Sequence, residues 1–264
     1  MKHKKKKLSY GRHHIDEQDI SEVVNVLKSD WLTTGEVVNK FEKAFAKRVG
    51  AKYAVSCSSG TAALHLASLA LNLTSNDNVI IPSITFAATA NSVRYCGANI
   101  IFSDVDKSTG LINEESIATL IDGSTKAIYP VHLNGQPANM PEIHKIAIAN
   151  DLKVIEDASH ALGTEYKLKN DNTCKIGSCT HSDMTTFSFH PVKTITMGEG
   201  GVVTTNSEDY YSKLISLRNH GILKFNNNNK SSLGHDEEII ERPWFYEIKD
   251  LGFNYRTSDI NCAL

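Results

Sequence analysis

Ser188-Phe189-His190-Pro191-Val192-Lys193-Thr194-Ile195-Thr196-Met197-Gly198-Glu199-Gly200-Gly201 joins two short apolar runs, Met184 to Phe189 and Gly201 to Thr205. It sets one lysine in a turn, with a serine five residues upstream and a glycine-rich stretch downstream. An ammonium in a packed loop is costly without a partner or a reaction. The reaction that suits this setting is condensation of the ε-amine with an aldehyde to form an imine. A solvated loop lysine is the bland alternative, and the segments upstream bear on the choice.

Val154-Ile155-Glu156-Asp157-Ala158-Ser159-His160 is the first of these. Lys153 to Ile155 reads as a short buried parallel strand, and carboxylates at the C-terminal end of such a strand face the crevice where open α/β sheets bind ligands. Asp157 is placed there to pair with a protonated ring nitrogen, and His160 to reach a ring substituent. Taken alone, a strand-end Asp such as Asp157 is more commonly a helix N-cap, and a lone histidine such as His160 an ordinary packed or surface residue. In Ser56-Cys57-Ser58-Ser59-Gly60-Thr61-Ala62-Ala63-Leu64, Tyr53 to Cys57 reads as a strand and Thr61 to Leu71 as a helix. Small residues at such a turn let amides and hydroxyls converge on an anion at the positive helix end, although capping explains the hydroxyls equally well. It is not the GxxxxGK[ST] loop of nucleotide hydrolases. Pro82-Ser83-Ile84-Thr85-Phe86 follows a strand from Asn78 to Ile81, and Phe86 either stacks on a flat ring or packs in the core. A lysine amine, a phosphate cradle and a carboxylate for a ring nitrogen are what pyridoxal phosphate enzymes need.

Further along, Ser29-Asp-Trp-Leu-Thr-Thr-Gly35, Ser58-Ser-Gly-Thr-Ala-Ala-Leu64, Glu156-Asp-Ala-Ser-His-Ala-Leu-Gly163, Ser188-Phe-His-Pro-Val-Lys193, Arg218-Asn-His-Gly221, Pro243-Trp-Phe-Tyr246 and Leu251-Gly-Phe-Asn-Tyr-Arg256 stand in order. Together they resemble the sugar-nucleotide aminotransferases of the DegT/DnrJ family, and within it the pseudaminic acid branch, from about Tyr10 to the last residue. The resemblance implies an α/β chain: a fold type I large domain over residues 10–250, mainly parallel sheet with helices on both faces. Residues 251–264 would only begin a small C-terminal domain, most of it missing from a truncated chain. It implies pyridoxal 5'-phosphate as cofactor, with Lys193 carrying the imine, Asp157 on the ring nitrogen and His160 on the phenolic oxygen. Gly60, Thr61 and Ser188 would hold phosphate or substrate, with Phe86 against the ring. Asn254 matches an asparagine that reaches the neighbouring subunit's site, which implies a homodimer with composite sites. Tyr10, Asp30, Trp31, Leu32 and Thr33 match positions that touch the sugar nucleotide. The implied reaction moves an amino group from glutamate to C4 of a UDP-linked 4-keto-6-deoxy-N-acetylhexosamine. Many relatives carry Gln where His160 stands, and either side chain donates a hydrogen bond. Dehydratases of the family replace the lysine, commonly by histidine, so Lys193 speaks against that branch.

Composition agrees. The chain has 264 residues, 41% apolar and 22% charged, as in ordinary globular proteins. A net charge of −2 offers no footprint for nucleic acid or acidic membrane. The basic run Lys2 to Lys7 lacks a following apolar stretch, so residues 1–9 read as a disordered tail rather than a signal or anchor. No stretch approaches about eighteen uninterrupted apolar residues, and the chain reads as cytoplasmic. Five scattered cysteines fit reduced thiols. Cys174, Cys179 and His181 lack a fourth ligand and a CxxC knuckle, so no metal is expected.

Strands are expected near Tyr53, Val79, Ile100, Ala127, Val154, Thr185 and Val202, with helical patterns between most of them. Upstream, Asp16 to Lys28 carries Ile20, Val23, Val24 and Leu27 on one helical face, and Val38, Phe41, Phe45 and Val49 repeat at helix spacing. Asn226 to Asn229 reads as an exposed loop, and Thr257 to Leu264 as an N-cap and first helical turns. Trp31, Trp244 and Tyr246 stack on sugar or uracil faces or else pack in the core, while Asp30 and Thr33 are suited to sugar hydroxyls.

Overall fold

The computed structural model describes residues 11–168, 172–223 and 244–264. The basic run, Tyr10, the Asn226 to Asn229 run and Pro243 lie outside the described residues. Helix α1 (Glu17–Leu27) starts at a capping box in which Asp16 accepts the amides of Gln18 and Asp19 while the Asp19 carboxylate accepts the Asp16 amide. Helix α2 (Glu36–Val49) ends at Gly50 in the left-handed conformation. There follow β1 (Tyr53–Cys57), α3 (Gly60–Ala70), β2 (Asn78–Pro82), α4 (Ala87–Tyr95), β3 (Asn99–Ser103), α5 (Glu114–Leu120), β4 (Thr125–Ile128), α6 (Met140–Ala149) and β5 (Lys153–Asp157). A hairpin, β6 (Glu165–Lys167) with β7 (Thr173–Lys175), precedes β8 (Met184–Ser188), β9 (Gly201–Thr205) and α7 (Glu208–Arg218). The short pair β10 (Ile222–Leu223) and β11 (Glu247–Ile248) and a terminal helical turn, Asp259–Ala263, complete the chain.

Seven strands form one sheet in the order β1-β9-β8-β5-β4-β2-β3, and each expected strand is among them. The pairings from β8 through β5, β4 and β2 to β3 are parallel, whereas β9 runs antiparallel to both β8 and β1. Antiparallel neighbours need no crossover helix. The lysine-bearing stretch can therefore join β8 directly to β9 as a loop at the sheet's end.

Helix α3 buries nearly its whole circumference, including Leu64 and Leu66 at 1% and 0% exposure. Each such leucine contributes about 2 kcal/mol of burial. Phe45 of α2 meets Phe187 and Phe189 edge-on at 5.1 and 5.5 Å, which seats α2 on the strand that leads to the lysine loop. The expected apolar face of α1 is not its buried face: Val26 is buried, whereas Ile20, Val24 and Leu27 are exposed. The helix rests against the terminal helical turn, too narrow a contact to cover the whole stripe. No helix among the described residues is long and apolar enough to cross a membrane.

The N-cap of α2 is Gly35, which has no side chain to cap with. Asp259 does this from the far end of the chain, accepting the amides of Gly35 at 2.8 Å and Val37 at 2.9 Å from a buried position. Asp259→Ala leaves those amides without their acceptor and is expected to lower stability by about 1–2 kcal/mol, the cost of a lost helix cap. Urea unfolding measures it, and an unchanged midpoint would show the cap to be redundant.

Candidate active site

The C-terminal ends of β5 and β8 and the turn before α3 open onto a cleft of about 340 Å³. Gly60, Thr61, Phe86, Asp157, His160, Ser188 and Lys193 all line it, so seven of the residues singled out in the sequence meet in one place. Asp30, Trp31, Leu32, Thr33 and Asn254 do not line it. All five are exposed.

The turn between β1 and α3 forms part of the cleft wall. Ser59 caps the helix by accepting the Ala62 amide at 3.1 Å. The amides of Gly60 and Thr61 occupy the first helical positions, where no intrahelical acceptor exists, at the positive end of the helix. The turn is pressed onto the ends of β8 and β9. A Cβ on Gly60 would lie 2.5 Å from Ser188 Cβ, and one on Gly201 would lie 2.2 Å from the Ser59 carbonyl oxygen. Only glycine permits this approach, which brings the Ser188 hydroxyl beside the free amides. Burial pushes the thiol of Cys57, on the strand entering the turn, up to about 12, so it serves as an unreactive small side chain.

Asp157, which also lines the cleft, is 5% exposed. Its Oδ1 accepts the Ser159 hydroxyl at 2.7 Å and the Ser159 amide at 3.2 Å, and its Oδ2 accepts the Thr89 hydroxyl at 2.7 Å. This is an Asx turn rather than the cap of a helix, so the capping alternative is not realised. Lys193 is half-buried in the loop, its amide bonded to the His190 carbonyl at 2.8 Å. Burial holds its amine below the usual lysine range, opposed by the Asp157 carboxylate. Burial also lowers His160, helped by the Lys193 charge and opposed by Asp157, so the imidazole is neutral at pH 7. Phe86 is 74% exposed at the cleft's edge and is no core residue. Trp31, Trp244 and Tyr246, at 63%, 66% and 52%, are likewise outside the core. Cys179 is buried beside Thr204, and His181 accepts or donates at the Tyr166 hydroxyl, 2.6 Å away.

Thr89, Ser159 and the buried pair of His132 with Glu156 did not stand out in the sequence. The four-residue spacing of Thr85 and Thr89 across a helix start, and a serine two residues after Asp157, are the only local signals for the first two.

The donor set fits a flat, phosphorylated pyridine aldehyde: free amides beside a hydroxyl, a buried carboxylate, a partly desolvated amine and an exposed ring all line the one cleft. When bound, pyridoxal phosphate supplies an electron sink for the carbon that loses or gains the amino group. Fold and site together define the class, that of the fold type I aminotransferases. The chain belongs to the DegT/DnrJ/EryC1/StrS aminotransferase family, whose sequence pattern it matches over residues 13–264. Aminotransferases of this family depend on pyridoxal phosphate. It is 40% identical over 260 residues to a UDP-4-amino-4,6-dideoxy-N-acetyl-beta-L-altrosamine transaminase of Campylobacter jejuni, covering 97% of this chain and 62% of the relative. It is 38% identical over 259 residues to the GDP-perosamine synthase of Caulobacter vibrioides, covering 98% of this chain and 63% of the relative. Among solved structures, PseC of Helicobacter pylori, an aminotransferase of pseudaminic acid biosynthesis, superposes with a TM-score of 0.84 at 32% identity, covering 98% of this chain and 64% of that one. The chain thus spans a little over three-fifths of the length of these relatives.

Borohydride reduction of the chain loaded with pyridoxal phosphate is expected to leave one stable adduct, on Lys193, located by peptide mass mapping. Lys193→Ala should lose it while keeping cofactor held by the phosphate and ring contacts. An adduct on another lysine would remove Lys193 from this role.

Proposed function

We propose that this chain binds pyridoxal phosphate and transfers an amino group from L-glutamate to C4 of a UDP-linked 4-keto-6-deoxy-N-acetylhexosamine, in the cytoplasm, on the way to pseudaminic acid and surface glycans. The observation that carries the reading is the meeting of Lys193, Asp157 and the Gly60 turn in one cleft. Likeness to a transaminase named for a UDP-linked altrosamine supports the acceptor.

Each residue then has a task. The Lys193 amine, held below the usual range, takes and returns the proton at the carbon that exchanges the amino group. Asp157 holds the ring nitrogen's proton. His160, neutral at pH 7, donates to the phenolic oxygen. The Gly60 and Thr61 amides and the Ser188 hydroxyl take the phosphate. Trp31 and Leu32 offer exposed apolar surface to a sugar or uracil face, while Asp30 and Thr33 bond hydroxyls; Tyr10 belongs with them by resemblance. The exposed Asn254, held by a backbone bridge to Asn219 outside its own cleft, serves the cleft of a second copy, which makes the working unit a two-fold dimer.

A second reading takes a GDP-linked keto sugar as acceptor, favoured by the nearly equal likeness to GDP-perosamine synthase. The purified chain, given glutamate, should be offered UDP-4-keto-6-deoxy sugars of the AltNAc and GlcNAc series beside GDP- and TDP-linked keto sugars. Fastest turnover is expected with a UDP-linked acceptor. Faster turnover of a GDP or TDP sugar would overturn the nucleotide and leave amino transfer standing, and no turnover with any acceptor would overturn the transferase reading for this chain.

The dimer has its own test. Mixing Lys193→Ala protein with Asn254→Ala protein is expected to restore about one site per mixed dimer. Two inactive proteins that stay inactive after mixing, with a monomeric mass by light scattering, would count against shared sites.

A further inference from the structure

Asp157 meets three protein donors, and they are unevenly shared between its oxygens. Oδ1 accepts both the Ser159 hydroxyl and the Ser159 amide, whereas Oδ2 accepts only the Thr89 hydroxyl, at 2.7 Å. A carboxylate has about four lone-pair sites, two on each oxygen. Oδ1 is therefore full, and the remaining site belongs to Oδ2. Thr89 lies in the first turn of α4 and is fully buried. Its hydroxyl oxygen is 2.7 Å from that of Thr85. Because the Thr89 proton is committed to Asp157, Thr85 must be the donor in that second bond. Thr85 lines the cleft, so a chain of two hydroxyls runs from the cleft wall to the one open oxygen of Asp157.

We infer that Thr89 is a positioning residue that acts through Asp157 Oδ2, fixing the direction and strength with which that oxygen meets the ring nitrogen of pyridoxal phosphate. This rests on the cofactor reading above. A hydroxyl that donates to a carboxylate oxygen shares its charge and restrains rotation of the carboxylate plane. Without that donor, Asp157 would be held by Ser159 alone, through Oδ1. Oδ2 would then swing and carry more charge, and the ring nitrogen would face an acceptor of different strength in a different place. A purely structural Thr89 would do none of this, since a valine fills nearly the same shape.

The test pairs Thr89→Val, which removes the donor, with Thr89→Ser, which keeps it. Pyridoxal phosphate affinity is read from quenching of protein fluorescence, and the ring contact from the 15N resonance of cofactor labelled at its ring nitrogen. Thr89→Val is expected to weaken binding by on the order of tenfold, the weight of one hydrogen bond to a charged group, and to move the 15N resonance. Thr89→Ser should keep both near the parent values. Should the valine protein fail to fold, Thr85→Val cuts the chain one bond further out and should move the resonance in the same direction by less. Parental affinity and resonance in the valine protein, or a loss that serine does not restore, would overturn the inference. The borohydride adduct on Lys193 separates the two levels. A parent chain that forms no adduct sinks the cofactor reading and this inference together, and an adduct with no effect at Thr89 sinks this inference alone.

Discussion

Glu156 and Asp157 stand side by side at the end of β5, the central strand of the sheet, at 3% and 5% exposure. Burying one carboxylate costs several kcal/mol unless donors surround it, and here two adjacent ones are buried. Strand alternation sends them to opposite faces, so each needs its own set of partners. Glu156 receives the His132 ring nitrogen Nε2 at 2.8 Å, the Thr185 hydroxyl at 2.8 Å and the Ser182 hydroxyl. Burial alone would raise its pKa, but these donors hold it below the usual carboxylate value. His132 accepts the Ala138 amide at Nδ1, which leaves the proton on Nε2 to point at Glu156. The His132 amide in turn bonds the Asp157 carbonyl at 3.0 Å. The loop that stabilises one carboxylate is thus pinned to the backbone of the other. Asp157 is left with Ser159 and Thr89, and with one open lone pair.

The antiparallel β9 gives the second half of the site its rigidity. Because β8 and β9 remain paired past their ends, the Phe189 amide bonds Gly200 at 2.9 Å, and the Met197 amide returns to Phe189 at 3.0 Å. The side-chain amide of Asn261 in the terminal turn bonds the Met197 carbonyl at 2.6 Å. Lys193 sits in a loop closed at its base and tied from outside. Burial disfavours its charge and Asp157 favours it, and burial prevails. The cleft therefore brings together an anion-attracting helix end, a buried carboxylate and a lysine whose charge is disfavoured by burial. Those groups match a molecule that carries a phosphate, a protonated nitrogen and an electrophilic carbon.

The strands were legible because each is a short apolar run bounded by polar or turn residues, and the cleft because strand ends in such a sheet face one crevice. Seven residues chosen from separate segments converge for that reason alone. What stayed hidden depends on partners distant in sequence. The cap on α2 comes from Asp259, 222 residues from Val37, and no local pattern around Gly35 announces it. Thr89, in the first turn of a helix that opens on small residues, looks like any packed threonine until its hydroxyl is found on Asp157. The stripe Ile20, Val24 and Leu27 obeys helical periodicity and is nevertheless exposed, since periodicity tells which residues share a face and not what covers it. Phe86 shows the converse, where the core reading common for phenylalanine gives way to a cleft edge.

Burial also divides the proposed site residues by how long their partner would stay. A cofactor remains through many turnovers, and the groups that fit it stand on strand ends and a helix start, with the charge-bearing Asp157 buried and braced by hydroxyls. A substrate must enter and leave, and Asp30, Trp31, Leu32 and Thr33 are all exposed. Exposure does not make their backbone loose. The Leu32 carbonyl accepts the Asp259 amide at 3.0 Å, Thr33 bridges to Ser258, and the Gly35 amide bonds the Asp259 carboxylate at 2.8 Å. The terminal turn that steadies the lysine loop through Asn261 therefore also fixes the segment proposed to meet the sugar nucleotide. Side chains free to desolvate against a ligand, on a backbone already ordered, lose little further entropy on binding. The same few residues near the chain's end thus tie the lysine loop to the segment proposed to meet the sugar nucleotide.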